Sequence, residues 1–294
     1  MRNIKVPRPE SITLTIKGKT INGIRHRMQD EVAPTKVLCL HGWLDNANSF
    51  LPMMPLLPSI DLVAIDLPGH GFSDHLDGTY SIADSAYWAA SVIKALGWEQ
   101  CHIIGHSLGG IIAPLVAAGA PELVESLTLI ESSGALTSEA DDFVERLQKS
   151  MSDQLEEDKY KSRVYKTKAD AVNSRLRSAK METTSARLII DRQLAEFEDG
   201  WRWRFDPKLR YATAHRLTEA HVREVNKNII CPVLTIVAKD GFLTSREETA
   251  SRMQLIKDHR SVLLAGHHHL HMDTPEPVAA AINQFLGTTP AMGG

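Results

Sequence analysis

The chain changes its hydrophobic rhythm twice. Residues 11–28, SITLTIKGKTINGIRHRM, alternate apolar and polar positions around Gly18-Lys19. That period of two predicts an antiparallel hairpin. The pattern then becomes a series of short continuous apolar runs: KVLCLH (36–41), IDLVAID (60–66), QCHIIGH (100–106), ESLTLIE (125–131), CPVLTIVA (231–238) and SVLLA (261–265). Runs of that length suit strands covered on both faces of a parallel sheet. Helical stretches lie between them. Residues 81–97 open on Ser81 with Asp84 three residues later and close on Gly97, a capped helix. Residues 108–121 form a small-residue apolar helix. Residues 275–287 form an amphipathic one, with proline at its start and glycine at its end. Strands alternating with helices predict an α/β fold with a mostly parallel, doubly wound sheet.

The rhythm fails from 136 to 225. Those residues are charged and helix-forming, with GWRWRFDPKL (200–209) as an irregular or hairpin segment. Buried-strand patterns stand on both sides, so the stretch reads as a helical cap inserted into one core domain. The predicted division is a core of 1–135 and 226–294 with a cap of 136–225.

Composition narrows the classes. The 33 basic and 36 acidic residues give a formal charge of −3, which offers no polyanion surface and no nucleic-acid partner. The basic start, MRNIKVPRPE, has no apolar h-region behind it, unlike a secretory signal. No apolar run reaches the ~18 residues of a membrane span. Cys39, Cys101 and Cys231 stand far apart in or beside apolar runs, which predicts buried reduced thiols and a cytoplasmic protein. Monomer and homodimer both fit.

Candidate chemistry centres on IIGHSLGG. Gly105-His106-Ser107-Leu108-Gly109 is a G-x-S-x-G motif between an apolar strand and a helix, the setting that makes this motif a nucleophile elbow. Ser107 would stand exposed at a helix N-terminus, where developing negative charge is favoured. An acyl-transfer site also needs two N–H donors for the oxyanion. Leu108, after the serine, and Trp43, in LCLHGWLDN, are the candidates. In DLPGHGFSD (66–74), Asp66 and His70 are read as loop braces.

HGWLDN, DLPGHGFSD, GHSLGG, VLTIVAKDG and AGHHHLHMDTPEPV together resemble the α/β-hydrolase fold family. Among its subgroups they are most similar to the serine hydrolase-like proteins. The likeness covers about residues 20–131 and 228–287, and only loosely the segment between. It implies a serine hydrolase with no cofactor and no metal, acting on a small-molecule acyl substrate. A carboxylic ester is the default; lactones, amides and carbon–carbon bonds stay open. The family's order of nucleophile, acid and histidine implies Asp240 as the acid, with Glu131 as the alternative. It implies His268 as the base, with His267 and His269 one register away, and a structural role for His271. Trp88, Phe143, Trp201 and Trp203 are candidates either for the substrate lining or for packing. Two other classes compete: a catalytically silent binding protein, and a metal enzyme built on the histidine run. Consecutive histidines in a loop point in different directions, which disfavours the latter.

Overall fold

A computed structural model describes residues 9–27, 34–57, 60–156, 160 and 163–287. The basic start of the chain, 1–8, lies outside the described residues. In chain order the strands are β1 (Glu10–Ile16), β2 (Lys19–Arg27), β3 (Thr35–Leu40), β4 (Ile60–Ile65), β5 (Cys101–His106), β6 (Val124–Ile130), β7 (Leu194–Phe197), β8 (Gly200–Trp203), β9 (Val233–Ala238) and β10 (His259–Leu264). The helices are α1 (Ile82–Ala95), α2 (Leu108–Gly119), α3 (Phe143–Leu155), α4 (Lys168–Ser178), α5 (Thr183–Gln193), α6 (Glu219–Lys227), α7 (Glu248–Met253), α8 (Leu270–Asp273) and α9 (Pro275–Leu286).

Eight strands form one sheet in the order β1-β2-β4-β3-β5-β6-β9-β10. The β1–β2 hairpin pairs antiparallel and joins β4 antiparallel; from β4 to β10 every pairing is parallel. This is the expected mostly parallel sheet with an antiparallel edge. Period-two geometry sends alternate side chains to opposite faces. On β3, Leu38 and Leu40 join the core under α1 and α2, while Val37 and Cys39 join the core under α9. Both faces of β3 are therefore covered, whereas the edge strand β10 leaves Arg260, Ser261 and Leu263 exposed.

The local signals act as read. The Ser81 side chain accepts the Asp84 N–H and caps α1. Pro275 starts α9, and Gly287 closes it in a left-handed conformation at φ 70°. Cys39, Cys101 and Cys231 are free and buried, and burial pushes the Cys101 thiol up to about 12.

Between β6 and β9 the chain supplies α3 to α6 and the β7–β8 hairpin, which falls on the tryptophan-rich segment. Several bonds hold this stretch to loops of the sheet. Asn46 Nδ2 donates to the Ile189 carbonyl (2.9 Å), Asn48 Nδ2 to that of Leu188 (2.9 Å), and Trp43 Nε1 to that of Leu209 (3.1 Å). Among the described residues, no helix is long and apolar enough to cross a membrane.

Candidate active site

Ser107 lies between β5 and α2 at φ 52° and ψ −110°. A non-glycine residue at positive φ is uncommon and is held there by its surroundings. The restraints are visible. The Ser107 N–H donates to the Ile130 carbonyl (3.0 Å), and the Gly109 N–H donates to the His41 carbonyl (3.0 Å). A Cβ on Gly109 would sit 1.9 Å from the Leu40 carbonyl oxygen, and one on Gly105 would sit 2.4 Å from the Gly109 backbone. The two glycines thus let α2 start directly against β3 and β5.

The bond from Gly109 to His41 ties the His41-Gly42-Trp43 loop to the elbow. His41 is buried with Nδ1 donating to the Gly42 carbonyl (2.7 Å) and Nε2 accepting the Leu67 N–H (2.9 Å). Burial drives its pKa down to about 4, so the ring is neutral. Among the described residues, the backbone N–H groups of Trp43 and Leu108 have no hydrogen-bond acceptor.

Ser107, Leu108, Trp43 and His268 line one cavity of about 680 Å³, which Glu131 also borders. That volume suits a small organic ligand. His268 Nδ1 stands 3.4 Å from Glu131 Oε2. The Glu131 carboxylate is buried; Oε1 accepts the Ala238 N–H (2.7 Å) and Oε2 the Phe242 N–H (2.8 Å). Its own backbone is a second non-glycine outlier, at φ 50°. The turn after β6 therefore lifts this carboxylate toward the histidine loop.

Asp240, preferred from the sequence, occupies another place. It is exposed, and among the described residues its carboxylate has no hydrogen bond or ion pair. Its backbone instead braces the histidine loop. The Asp240 N–H donates to the Gly266 carbonyl (3.0 Å), and its carbonyl lies 3.3 Å from His267 Nδ1. The structure brings Glu131 rather than Asp240 to His268. The reason is reach: β6 lies beside β9 in the sheet, and the tight Asp240-Gly241 turn directs its aspartate to solvent while admitting the Glu131 carboxylate beneath it.

The histidine run divides as its loop geometry requires. His267 is partly exposed, His268 enters the cavity, and His269 and His271 are buried. One set converges all the same, drawn from three segments. Asp45, His106 and His269 each offer a donor atom, and these lie within 4.8 Å of one another; Asp45 Oδ2 is 3.8 Å from His106 Nδ1 and 3.3 Å from His269 Nε2. Such donors could hold a metal ion by type. Here the Arg175 guanidinium already pairs with Asp45 Oδ1 and lies 3.4 Å from His269 Nε2. Burial alone would raise the Asp45 carboxyl, but Arg175, His269 and His106 outweigh it and hold the group well below the usual carboxylate range.

His106 is the residue that sequence reasoning missed. It is fully buried; its Nε2 lies 2.9 Å from the His268 carbonyl and its ring packs 4.1 Å from that of His271. The variable position of the elbow thereby fixes the backbone of the cavity-facing histidine. Other readings change less. Asp66 binds Arg192 and the N–H groups of Ala47 and Phe72, as a loop brace should. His70 accepts the Leu44 N–H (3.3 Å) and also borders the cavity. Of the four aromatic lining candidates, Trp88 packs in the core under α1, Trp201 and Trp203 pack on the α4–α5 cluster, and Phe143 lies near His215. The cavity aromatics are Trp43, Tyr80, Tyr160, Tyr211 and Phe242.

Known proteins are consistent with this architecture. A family model described as the alpha/beta hydrolase fold matches residues 35–275. A serine hydrolase-like protein of Danio rerio is 32% identical over 263 residues, covering 85% of this chain and 81% of the relative. A crystal structure of a hypothetical protein from Pseudomonas aeruginosa PAO1 superposes with a TM-score of 0.86 at 31% identity, over 94% of this chain and 98% of that one. An esterase of Mycobacterium tuberculosis shares the fold at a TM-score of 0.70 and 22% identity, over 96% and 92% of the two chains. The match over most of the chain makes this protein a member of the alpha/beta hydrolase fold family, among relatives named serine hydrolase-like proteins.

Proposed function

We propose that the protein is a serine hydrolase that cleaves a carboxylic ester, or a related acyl substrate, through an acyl-enzyme. The observation that carries the reading is the shared cavity. Ser107 and His268 both line it, and a buried carboxylate, Glu131, stands 3.4 Å from His268 Nδ1. A serine hydroxyl needs a base to become nucleophilic, and the base needs an orienting acid. With Nδ1 directed to Glu131, Nε2 is the ring nitrogen left for Ser107.

Ser107 Oγ adds to the acyl carbon as His268 takes its proton. The negative charge that develops on the carbonyl oxygen is received by the N–H groups of Trp43 and Leu108. Collapse breaks the bond to the leaving alcohol, which takes the proton from His268. Water then adds by the same route, releasing the acid and restoring Ser107. Glu131 holds the imidazole tautomer and stabilises the imidazolium. Residues 136–225 act as a cap that closes one side of the cavity, a role supported by the lining residues it supplies, among them Leu209 and Tyr211.

A fluorophosphonate probe tests this directly. Covalent labelling of the native protein at Ser107, lost in Ser107→Ala, is expected, with a stoichiometric burst of p-nitrophenol from a p-nitrophenyl ester. Absence of labelling together with unchanged ester turnover in Ser107→Ala would overturn the mechanism and favour a binding protein.

A further inference from the structure

The cavity wall carries an uneven charge. Among the described lining residues, Arg146, Lys149, Arg210, Arg216 and Arg246 face two carboxylates, Glu131 and Asp153. Both acids already have partners. Glu131 serves His268 and two backbone N–H groups. Asp153 accepts the Ala212 N–H (2.8 Å) and lies 3.6 Å from Lys149 Nζ. Arg210 sits over the Phe205 ring, and Arg246 lies 4.0 Å from Glu248.

Arg146 and Arg216 remain. Neither has a carboxylate partner among the described residues. Arg146 donates from its Nη2 to the Thr213 carbonyl (2.8 Å), which fixes the guanidinium, while its buried Nε has no partner. Burial and the neighbouring Arg146 both lower the Arg216 pKa, so two like charges share a partly desolvated wall. Such an arrangement is unfavourable when the cavity is empty and becomes favourable when an anion enters. A guanidinium also offers paired N–H donors that match the oxygens of a carboxylate or phosphate.

We propose that Arg146 and Arg216 form an anion-binding subsite within the substrate cavity, and that the preferred substrate is an acyl ester or thioester bearing a carboxylate or phosphate group. The proposal rests on reading the cavity as the hydrolase pocket. It adds the substrate's charge. The apolar part of the wall, with Ile82, Leu108, Ile111 and Leu136, would then hold the carbon chain between the scissile group and the anion.

The test compares 4-nitrophenyl hydrogen adipate with 4-nitrophenyl hexanoate, two esters of equal acyl length that differ in terminal charge. The native enzyme is expected to favour the charged ester at least tenfold in kcat/KM. In Arg146→Gln and Arg216→Gln this charged-to-neutral ratio falls at least tenfold, mainly through KM. Arg216→Lys recovers part of it, and 0.5 M salt reduces it. A native ratio near one, or a ratio unchanged in both variants, overturns the subsite while leaving the hydrolase reading intact. If neither ester is cleaved, the hydrolase reading fails, and calorimetric titration of the native protein and Arg216→Gln with adipate still decides the subsite. Binding weakened tenfold in the variant supports it, and no binding to the native protein refutes it. Hexyl phosphate in the same titration separates phosphate from carboxylate recognition.

Discussion

Glu131 Oε2 lies 3.4 Å from His268 Nδ1, and two backbone N–H groups hold that carboxylate in place. Asp240, one strand over, points to solvent. If orientation of His268 is the acid's task, Glu131→Gln should lower kcat on the order of 10³- to 10⁴-fold, because an amide presents the wrong partner to Nδ1. Asp240→Asn should stay within a few-fold of the native enzyme. Steady-state kinetics on one ester, with circular dichroism to check folding, measures both. Equal losses in the two variants would refute the assignment.

Gly241 offers a second route to the same carboxylate. A Cβ there would stand 2.2 Å from Glu131 Oε2 and 2.4 Å from its Cδ. Gly241→Ala must therefore push the carboxylate off its N–H donors without removing any reacting group. Displacements of about 1 Å in a catalytic group cost up to ~100-fold. A fall in kcat of that order is expected, with KM little changed. A Gly241→Ala enzyme of native kcat would mean that the carboxylate's position does not matter.

These two residues mark where one-dimensional reading stops. The elbow was legible because its signal is local: a strand, two glycines and a serine whose φ of 52° they permit. The strands were legible because a sheet covered on both faces leaves continuous apolar runs. Which carboxylate stands beside His268 was not, because Glu131 and Asp240 both follow strand ends on neighbouring strands. Which one leans toward the histidine depends on two turn geometries, a φ of 50° at Glu131 and the space above Gly241. His106 was hidden for a similar reason. Its contact to the His268 carbonyl spans 162 residues, and its position in the motif tolerates any side chain. The aromatics of residues 136–225 read equally as lining or packing, and packing was the outcome for Trp201 and Trp203.

Buried histidines predict a sharp acid limit. Burial lowers His41 to about 4 and His70 and His271 to about 3, and holds His106 well below its usual value. An unfolded histidine titrates near 6.5. Above that pH both states are neutral at these positions, and these groups give stability no dependence on pH. Below it the unfolded chain takes up protons that the native fold refuses, so stability falls with pH. Each such group removes about 1.4 kcal/mol per pH unit until its native pKa is reached. Urea midpoints should be flat from pH 8 to 7 and fall steeply between pH 6 and 4.5. His271→Gln should make that slope shallower by about one proton. Unchanged midpoints from pH 7 to 5 would refute the neutral buried histidines.

The pairing of Asp45 with Arg175 predicts how the segment between β6 and β9 is fastened to the sheet. Arg175 comes from α4, and Asp45 from the loop after β3 that also carries Trp43. Both side chains are largely buried, at 15% and 1% exposure. Removing one partner of such a pair strands the other charge, which costs about 3–5 kcal/mol. Arg175→Gln and Asp45→Asn should each lower the urea midpoint accordingly. The double variant should lose clearly less than the sum, since no charge is left unpaired in it. Arg175→Gln carries a further consequence, because His269 shares Asp45 and adjoins His268. Its ester kcat should fall at 25 °C, where the variant is still folded. An additive cycle would mean that the two charges are solvated independently and that α4 is held by its other contacts.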